Sequence, residues 1–458
     1  MAAAVSVLRD SHMGVSTPVN ALDEVVETVS ALIRFDTTNT GELETTRGEA
    51  DCARWVQARL EEVGYETVYV ESGQPGRGNV FATLRGADPK RGSLLVHGHL
   101  DVVPAEPADW SVHPFSGAVE DGYVWGRGAV DMKDMCGIML ALARQLKSSG
   151  TVPPRDITFA FLADEEAGGT WGSHWLVQHR PELFAGVTEA VGEVGGFSLT
   201  VDTPSGDKKR LYLVESAEKS MCWMRLTAKA RAGHGSFVHE DNAVTLLSEA
   251  VARLGRHKFP LVLTDSVIAF LRALDRESTI DIDLDAPDLE GQLAKIGGLA
   301  RIVGATLRDT ANPTMLNAGY KANVIPQTAE AVVDCRVLPG RQAAFERELD
   351  EILGPDIERE WITKLDSYET QFDGALVDAM NEAILAFDPD GRTVPYMLSG
   401  GTDAKAFAKL GIRCFGFAPL QLPEDLDFAS LFHGVDERVP VDALLFGTKV
   451  FEHFLMNS

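Results

Sequence analysis

Three stretches of this chain place an imidazole or several carboxylates directly after an apolar run, and together they could hold metal ions and activate water. The first is Ser93–Asp101, which ends on His99 and Asp101. In an extended chain residues i and i+2 point to the same side, so this imidazole and this carboxylate converge where the strand stops. That arrangement suits a metal-ligating histidine whose other ring nitrogen is held by a carboxylate. The second stretch is Trp125–Lys133, in which Gly126 and Gly128 allow a tight turn ahead of Asp131 and a helix. An aspartate there also fits a helix N-cap, and spacing alone leaves both readings open. The third is Asp164-Glu165-Glu166, directly after Ile157–Ala163. Loops often carry solvated acids, yet three acids packed against a core strand repel one another unless a cation is present. Glu193 follows the apolar Ala190–Gly192, and His433 follows an apolar strand and a proline-bearing loop.

The set holds two histidines and several carboxylates but no thiolate. Hard oxygens mixed with imidazole suit zinc, cobalt or manganese rather than copper or an iron–sulfur cluster. One catalytic zinc takes three protein ligands and a water, so these donors are too many for one ion. They suit two ions about 3.5–4 Å apart that share a carboxylate and clamp an attacking hydroxide.

Elements that position such residues are readable from periodicity. Asn20–Arg34 and Asp51–Val63 carry apolar residues at helical spacing. Asn79–Leu84, Ser93–Gly98, Asp156–Ala163, Ala190–Gly192 and Ile412–Phe417 read as strands, with helices at Met132–Lys147, His174–His179 and Gly374–Phe387. This alternation predicts an α/β fold with a mixed, largely parallel central sheet flanked by helices. From about Glu218 the texture changes. Strands at Cys222–Ala230, Glu330–Val337 and Ile357–Asp366 accompany helices at Ala243–Leu254 and Arg341–Leu353. The expected organisation is a discontinuous domain, 18–217 and 371–458, interrupted by a compact α+β module, 218–370. Within the module Glu277–Leu299 is acidic and of no clear structure.

At 458 residues the chain exceeds one ordinary core, and 45% apolar with 24% charged residues is the composition of a soluble globular protein. No apolar run reaches the roughly 18 residues of a membrane span. The net charge of −26 repels phosphate backbones, which counts against nucleic acid as a partner. The five cysteines are scattered and form no Cys-x-x-Cys pair, which fits free thiols in a reducing, cytoplasmic setting. The first residues are too short and too poor in basic groups for a signal peptide, and either Met1 or Met13 fits as the start. Residues 1–17 carry no weight in the fold reading.

His-Gly-His-Leu-Asp-Val-Val-Pro at 97–104, Trp110 with His113-Pro114-Phe115, Gly126-Arg127-Gly128 through Lys133, and Ala163-Asp164-Glu165-Glu166 occur in order, followed by the late His433. Together they resemble peptidase family M20. It is the zinc exopeptidase and deacylase family of acetylornithine deacetylase, succinyl-diaminopimelate desuccinylase, aminoacylase and carboxypeptidase S. The resemblance implies a zinc-exopeptidase-like catalytic domain and a ferredoxin-like lid that also forms a homodimer. It implies two zinc ions per subunit, with cobalt or manganese as substitutes. His99, Asp131 and Glu193 would hold one ion, and Asp131, Glu166 and His433 the other, with Asp131 bridging. Asp101 would orient His99, and Glu165 would be the general base. His234, in Gly233-His234-Gly235, resembles the lid histidine that stabilises the oxyanion, often in the partner subunit's site. Asn323 and Arg336 resemble residues that hold the substrate's carboxylate or oxyanion, and Gly400-Gly401-Thr402-Asp403 resembles a glycine-rich substrate loop.

Asp134 departs from the family pattern, which has glycine there. One turn from Asp131, it is expected to be solvated. His97 shares a strand face with His99 and is expected in the core or behind the site, and His174 and His179, five apart, are not expected as ligands. The implied reaction is hydrolysis of an amide bond beside a free carboxylate, by a dipeptidase or carboxypeptidase. The alternative is an N-acyl-amino-acid deacylase, and a catalytically dead metal-binding module is a remote third. A small peptide or an N-acyl amino acid would be the substrate, with no membrane partner.

Overall fold

Spacings of three and four put Val25, Val29, Leu32 and Ile33 on one buried face of helix α1 (Ala21–Ile33). The Asn20 side chain starts this helix by accepting the Leu22 N–H at 3.0 Å. Burying each such side chain contributes about 1.5–3 kcal/mol, so packing rather than helix propensity holds the element in place. The computed structural model describes residues 19–295 and 303–458. The expectations for residues 1–17 and for the Leu299 end of the acidic stretch lie outside the described residues.

Further helices are α2 (Ala50–Glu61), α3 (Lys133–Ser148), α4 (Ala243–Arg256), α5 (Asp265–Glu277), α6 (Gln342–Leu353), α7 (Ala375–Phe387) and α8 (Val441–Asn457). The chain first lays down β1 (Thr67–Glu71), β2 (Gly78–Leu84), β3 (Ser93–His99), β4 (Ile157–Leu162), β5 (Val187–Gly192), β6 (Ser198–Asp202) and β7 (Lys208–Glu218). It then builds a smaller sheet from β8 (Met221–Lys229), β9 (Thr310–Ala318), β10 (Thr328–Arg336) and β11 (Ile357–Leu365). It returns with β12 (Tyr368–Glu369), β13 (Arg392–Leu398) and β14 (Arg413–Gly416).

The central sheet has ten strands in the order β1-β2-β4-β3-β5-β14-β7-β12, with β6 and β13 also paired to β7. Its middle is parallel: β3 with β4 and β5, and β5 with β14. One margin is antiparallel, because the few residues between β1 and β2 are too short a link for a parallel crossover. The other margin is antiparallel where β6 and β12 meet β7.

The smaller sheet is antiparallel throughout, in the order β9-β10-β8-β11, and with α4 and α6 it follows a β-α-β-β-α-β path. Alternate residues of β8 (Cys222, Met224, Leu226 and Ala228) are buried under the helices. Strand β9 has no counterpart in the sequence reading. Pro313 breaks its donor pattern and shifts its register, a defect tolerated because β9 is an edge strand. Helix α5 lies in the stretch between β8 and β9 yet packs on the central sheet. Its Val267, Phe270, Leu271 and Leu274 share a core with Leu211, Leu213, Tyr396 and Met397.

Asp134 corrects an expectation. It is 3% exposed, not solvated. Helix α3 lies inside the molecule with 13 of its 16 residues buried, so its first turn has no face turned to water. All five cysteines are free and buried.

Candidate active site

The three adjacent parallel strands β4, β3 and β5 end side by side, and the chemistry stands at their carboxyl ends. His99 is the last residue of β3, Glu165 and Glu166 form the turn after β4, and Glu193 directly follows β5. Asp131 comes from the loop ahead of α3, and its peptide bond to Met132 is cis. His433 comes from the loop between β14 and Arg438–Pro440.

These side chains converge in two groups that share one member. His99 Nε2 lies 3.1 Å from Asp131 Oδ1 and 3.4 Å from Glu193 Oε2. His433 Nε2 lies 3.1 Å from Asp131 Oδ2 and 3.2 Å from Glu166 Oε2. Asp131 therefore turns one oxygen to each imidazole. In each group the donor atoms lie within 4.8 Å of one another, close enough to meet on a single ion. Glu165 stands beside both groups, with Oε2 3.9 Å from His99 Nε2.

The electrostatics describe crowding. Burial pushes the Glu193 carboxyl up to about 8 and that of Glu166 up to about 7, in each case with the charge of Asp131 adding to it. Burial and the charge of Glu193 hold Glu165 well above the ordinary carboxylate range. Hydrogen bonds to Asp131 and Glu166 raise the His433 imidazolium to about 10. Carboxylates crowded beside imidazoles are what divalent cations relieve, and the mixed oxygen and nitrogen donors fit zinc, cobalt or manganese.

Backbone shape serves the same residues. Among the described residues five non-glycine positions have positive φ. Three of them adjoin or belong to the cluster: Asp164 at 70°, Val194 at 55° and His433 at 58°. A β-branched residue such as Val194 rarely adopts that conformation, so the surrounding structure must hold it there.

Asp101 does more than the sequence suggested. Its backbone carbonyl lies 3.0 Å from His99 Nδ1, whereas its carboxylate approaches that nitrogen only to 3.5 Å. The carboxylate instead accepts the N–H groups of Glu165 at 3.1 Å and Glu166 at 3.0 Å. One residue thus fixes the tilt of His99 and the turn that presents both glutamates. Asn39 spans Asp101 and Asp164, and Arg77 pairs Asp164 at 2.9 Å and Glu49 at 2.7 Å in a fully buried chain. Glu437 does similar work for Asp131: it pairs with Arg127 at 2.7 Å and accepts the N–H groups of Gly128, Val130 and Asp131. Asn39, Glu49, Arg77 and Glu437 escape a sequence reading because each is a lone polar residue with no periodic signal.

A cavity of about 620 Å³ opens from the cluster toward the smaller sheet. Asp131, Glu165, Glu166, Glu193 and His433 line it, as do Arg336, Gly400 and Gly401. The Arg336 guanidinium is held in a two-point contact by Asp334, at 2.7 and 3.1 Å. Much of the wall is apolar, from Phe197, Met221, Trp223, Tyr396, Leu398 and Phe432. His234 and Asn323 stand apart. They are exposed and side by side, with Gly235 N–H donating to the Asn323 carbonyl at 3.0 Å, where Gly233-His234 pairs with Val324-Ile325 in a short two-stranded ribbon that does not line this chain's own cavity. His97 is buried edge-on against Phe407, and His174 and His179 belong to neither donor group.

A family model described as Peptidase family M20/M25/M40 matches residues 95–457. The chain belongs to this family. Human N-fatty-acyl-amino acid synthase/hydrolase PM20D1 is 28% identical over 389 residues, covering 82% of this chain and 76% of that one. Probable carboxypeptidase S-like 2 of Dictyostelium discoideum is 28% identical over 384 residues, covering 82% and 73%. Among solved structures, the M20 metallo-carboxypeptidase Sso-CP2 of Sulfolobus solfataricus superposes with a TM-score of 0.70 at 18% identity, covering 95% of this chain and 99% of that one. M20 proteins are metal-dependent hydrolases of amide bonds, and this M20 chain is an enzyme of that kind.

Proposed function

We propose that this M20 enzyme hydrolyses an amide bond beside a free carboxylate, using two divalent metal ions, zinc in the first instance. The observation that carries the reading is Asp131, whose two oxygens each lie 3.1 Å from a different imidazole, each imidazole having a second carboxylate beside it. His99, Asp131 and Glu193 would hold one ion, and Asp131, Glu166 and His433 the other. Bound there, the pair would lower the pKa of a coordinated water to about 7 and polarise the scissile carbonyl. Glu165, free of both groups, takes the proton of the attacking water and gives it to the leaving amine nitrogen, which balances the hydrolysis. Asp101 keeps His99 and the two glutamates in register. Arg336 offers two N–H groups to the substrate's carboxylate, and Gly400 and Gly401 let the chain approach it closely.

The smaller sheet with its helices acts as a lid and a dimer interface. Support comes from Phe237, Val238 and Tyr320, which are 72%, 98% and 80% exposed beside His234 and Asn323 and call for a cover. In the dimer His234 and Asn323 would reach the partner's cavity, and His234 would stabilise the oxyanion.

Dipeptides and C-terminal residues of peptides are the first substrate class. The apolar wall of Phe197, Trp223, Tyr396 and Phe432 favours a second, N-acyl amino acids with an apolar acyl group. A panel of dipeptides and N-acetyl, N-succinyl and long-chain N-acyl amino acids, run after exhaustive chelation and again after adding zinc or cobalt, tests both. Loss on chelation and recovery with metal are expected. Turnover unchanged by complete metal removal would overturn the mechanism, and the preferred member of the panel decides between the classes.

A further inference from the structure

The chain crosses between its two sheets twice, at residues 218–221 and 365–369, and both crossings meet a buried polar cluster that the hydrolysis does not use. At its centre is Glu218, the last residue of β7, with no exposed surface. Its Oε2 lies 2.6 Å from Lys405 Nζ and accepts the Thr402 N–H at 3.0 Å. Its Oε1 accepts the Thr402 hydroxyl at 2.6 Å and the Tyr368 hydroxyl at 3.2 Å. Lys405 also donates to the Lys219 carbonyl at 2.7 Å, and the Lys219 N–H donates to the Leu398 carbonyl at 3.1 Å. Thr402 and Lys405 continue the Gly400-Gly401 loop that walls the cavity, and Tyr368 lies on the return strand.

One carboxylate therefore ties together both crossings and the loop. Met221, Trp223, Leu365 and Arg336 of the smaller sheet face that loop across the cavity. Any swing of the smaller sheet would have to turn on the links 219–220 and 366–367, and would pull on the Lys405 and Tyr368 contacts. A buried ion pair is weak support for stability, because the cost of taking both charges from water offsets their attraction. What such a pair can secure is one geometry rather than several. The neighbouring Glu215 carboxyl also meets Tyr368, at 2.9 Å, and burial with the charge of Glu218 holds it well above the ordinary carboxylate range.

Resting on the hydrolase reading above, we propose that Glu218 is a positioning residue: it locks the Gly400–Asp403 loop to both crossings, so the loop takes its substrate-facing shape only while the smaller sheet is seated. The test uses metal-loaded full-length enzyme. Glu218→Gln should raise KM at least ~10-fold and leave kcat within about 3-fold and the metal content unchanged, because the loss is in substrate binding. Hydrogen exchange of the amides around Lys219, Thr370 and Thr402 should quicken together. Adding Lys405→Met removes the ammonium left unpaired; thermal stability should recover while KM stays high. If KM recovers with stability, or never changes, the cluster only supports the fold and the proposal fails. Should Glu218→Gln not fold, Tyr368→Phe removes one hydroxyl and no charge. It should raise KM about 3-fold and quicken exchange at Thr402 as well as Thr370, and unchanged exchange at Thr402 would refute the lock. If fully metallated wild type cleaves nothing on the panel, the hydrolase reading falls, and the exchange measurement still decides for or against Glu218.

Discussion

Asp131 sits between two imidazoles, and in the proposed mechanism it is Glu165 that would separate holding metal from using it. Glu165 lies outside both three-donor groups and 3.9 Å from His99. Glu165→Gln is therefore expected to keep full metal content and lose about 10²–10⁴-fold in kcat, as removal of a general base does. Metal analysis beside steady-state kinetics checks it, and full turnover in a metallated variant would remove Glu165 from its role. Glu437 makes the opposite case. Its side chain is fully buried and holds Arg127 and three N–H groups of the loop that ends on Asp131. Glu437→Ala leaves Arg127 buried without its carboxylate, so a loss of about 3–5 kcal/mol in denaturant unfolding is expected. The same variant should bind metal about 10–100-fold more weakly, since Asp131 loses its support. The contrast explains what could be read in advance. His99, Glu166 and Glu193 stand at the ends of apolar strands and announce themselves. Glu437 follows His433 on an irregular loop, where an acid looks like any solvated one.

Helix α3 carries the clearest conflict between local expectation and packing. An acid in the first turn suits the helix dipole, and Asp134 on an exposed helix would need no further comment. Here the helix runs through the core, and burial holds the Asp134 carboxyl well above its ordinary 3.8. The folded chain keeps a proton that the unfolded chain releases above about pH 4, so stability falls as pH rises through that window. Asparagine carries no such proton. Asp134→Asn should gain on the wild type in melts of metal-free protein as pH rises above about 4, by at most ~1.4 kcal/mol per pH unit. A stability difference that does not vary with pH would show that folding leaves the Asp134 pKa unshifted. Other elements were readable in proportion to their periodicity. β8 alternates strictly and α1 repeats at helical spacing, so both stand where their patterns put them. β9 alternates poorly, carries Pro313 and exposes most of its residues, so it has no pattern to find. Helix α5 has a regular apolar face, but only tertiary structure shows that this face meets the central sheet.

The molecule as one chain brings Asp131, Glu165, Glu166, Glu193, His433, Arg336 and the glycine loop to one cavity and leaves His234 and Asn323 outside it. The exposed Phe237, Val238 and Tyr320 around that ribbon are the surface that a second copy would cover in the proposed dimer. If the chain forms the proposed isologous dimer with each ribbon reaching its partner, a working site would combine Glu165 of one copy with His234 of the other. Two crippled proteins decide this. His234→Ala should lose about 10²–10³-fold in turnover with metal content intact, as loss of an oxyanion donor does. Glu165→Gln should be similarly inactive. When the two are unfolded, mixed in equal amounts and refolded, half of the dimers pair one of each. If His234 acts across the interface, one of the two sites in each mixed dimer joins an intact Glu165 to an intact His234. The mixture should then recover about a quarter of wild-type activity. If His234 acts within its own chain, every site keeps one lesion and the mixture stays as inactive as its parts. A monodisperse monomer in solution scattering, with His234→Ala still impaired, would place the ribbon that carries His234 over its own cavity by a closure of the smaller sheet.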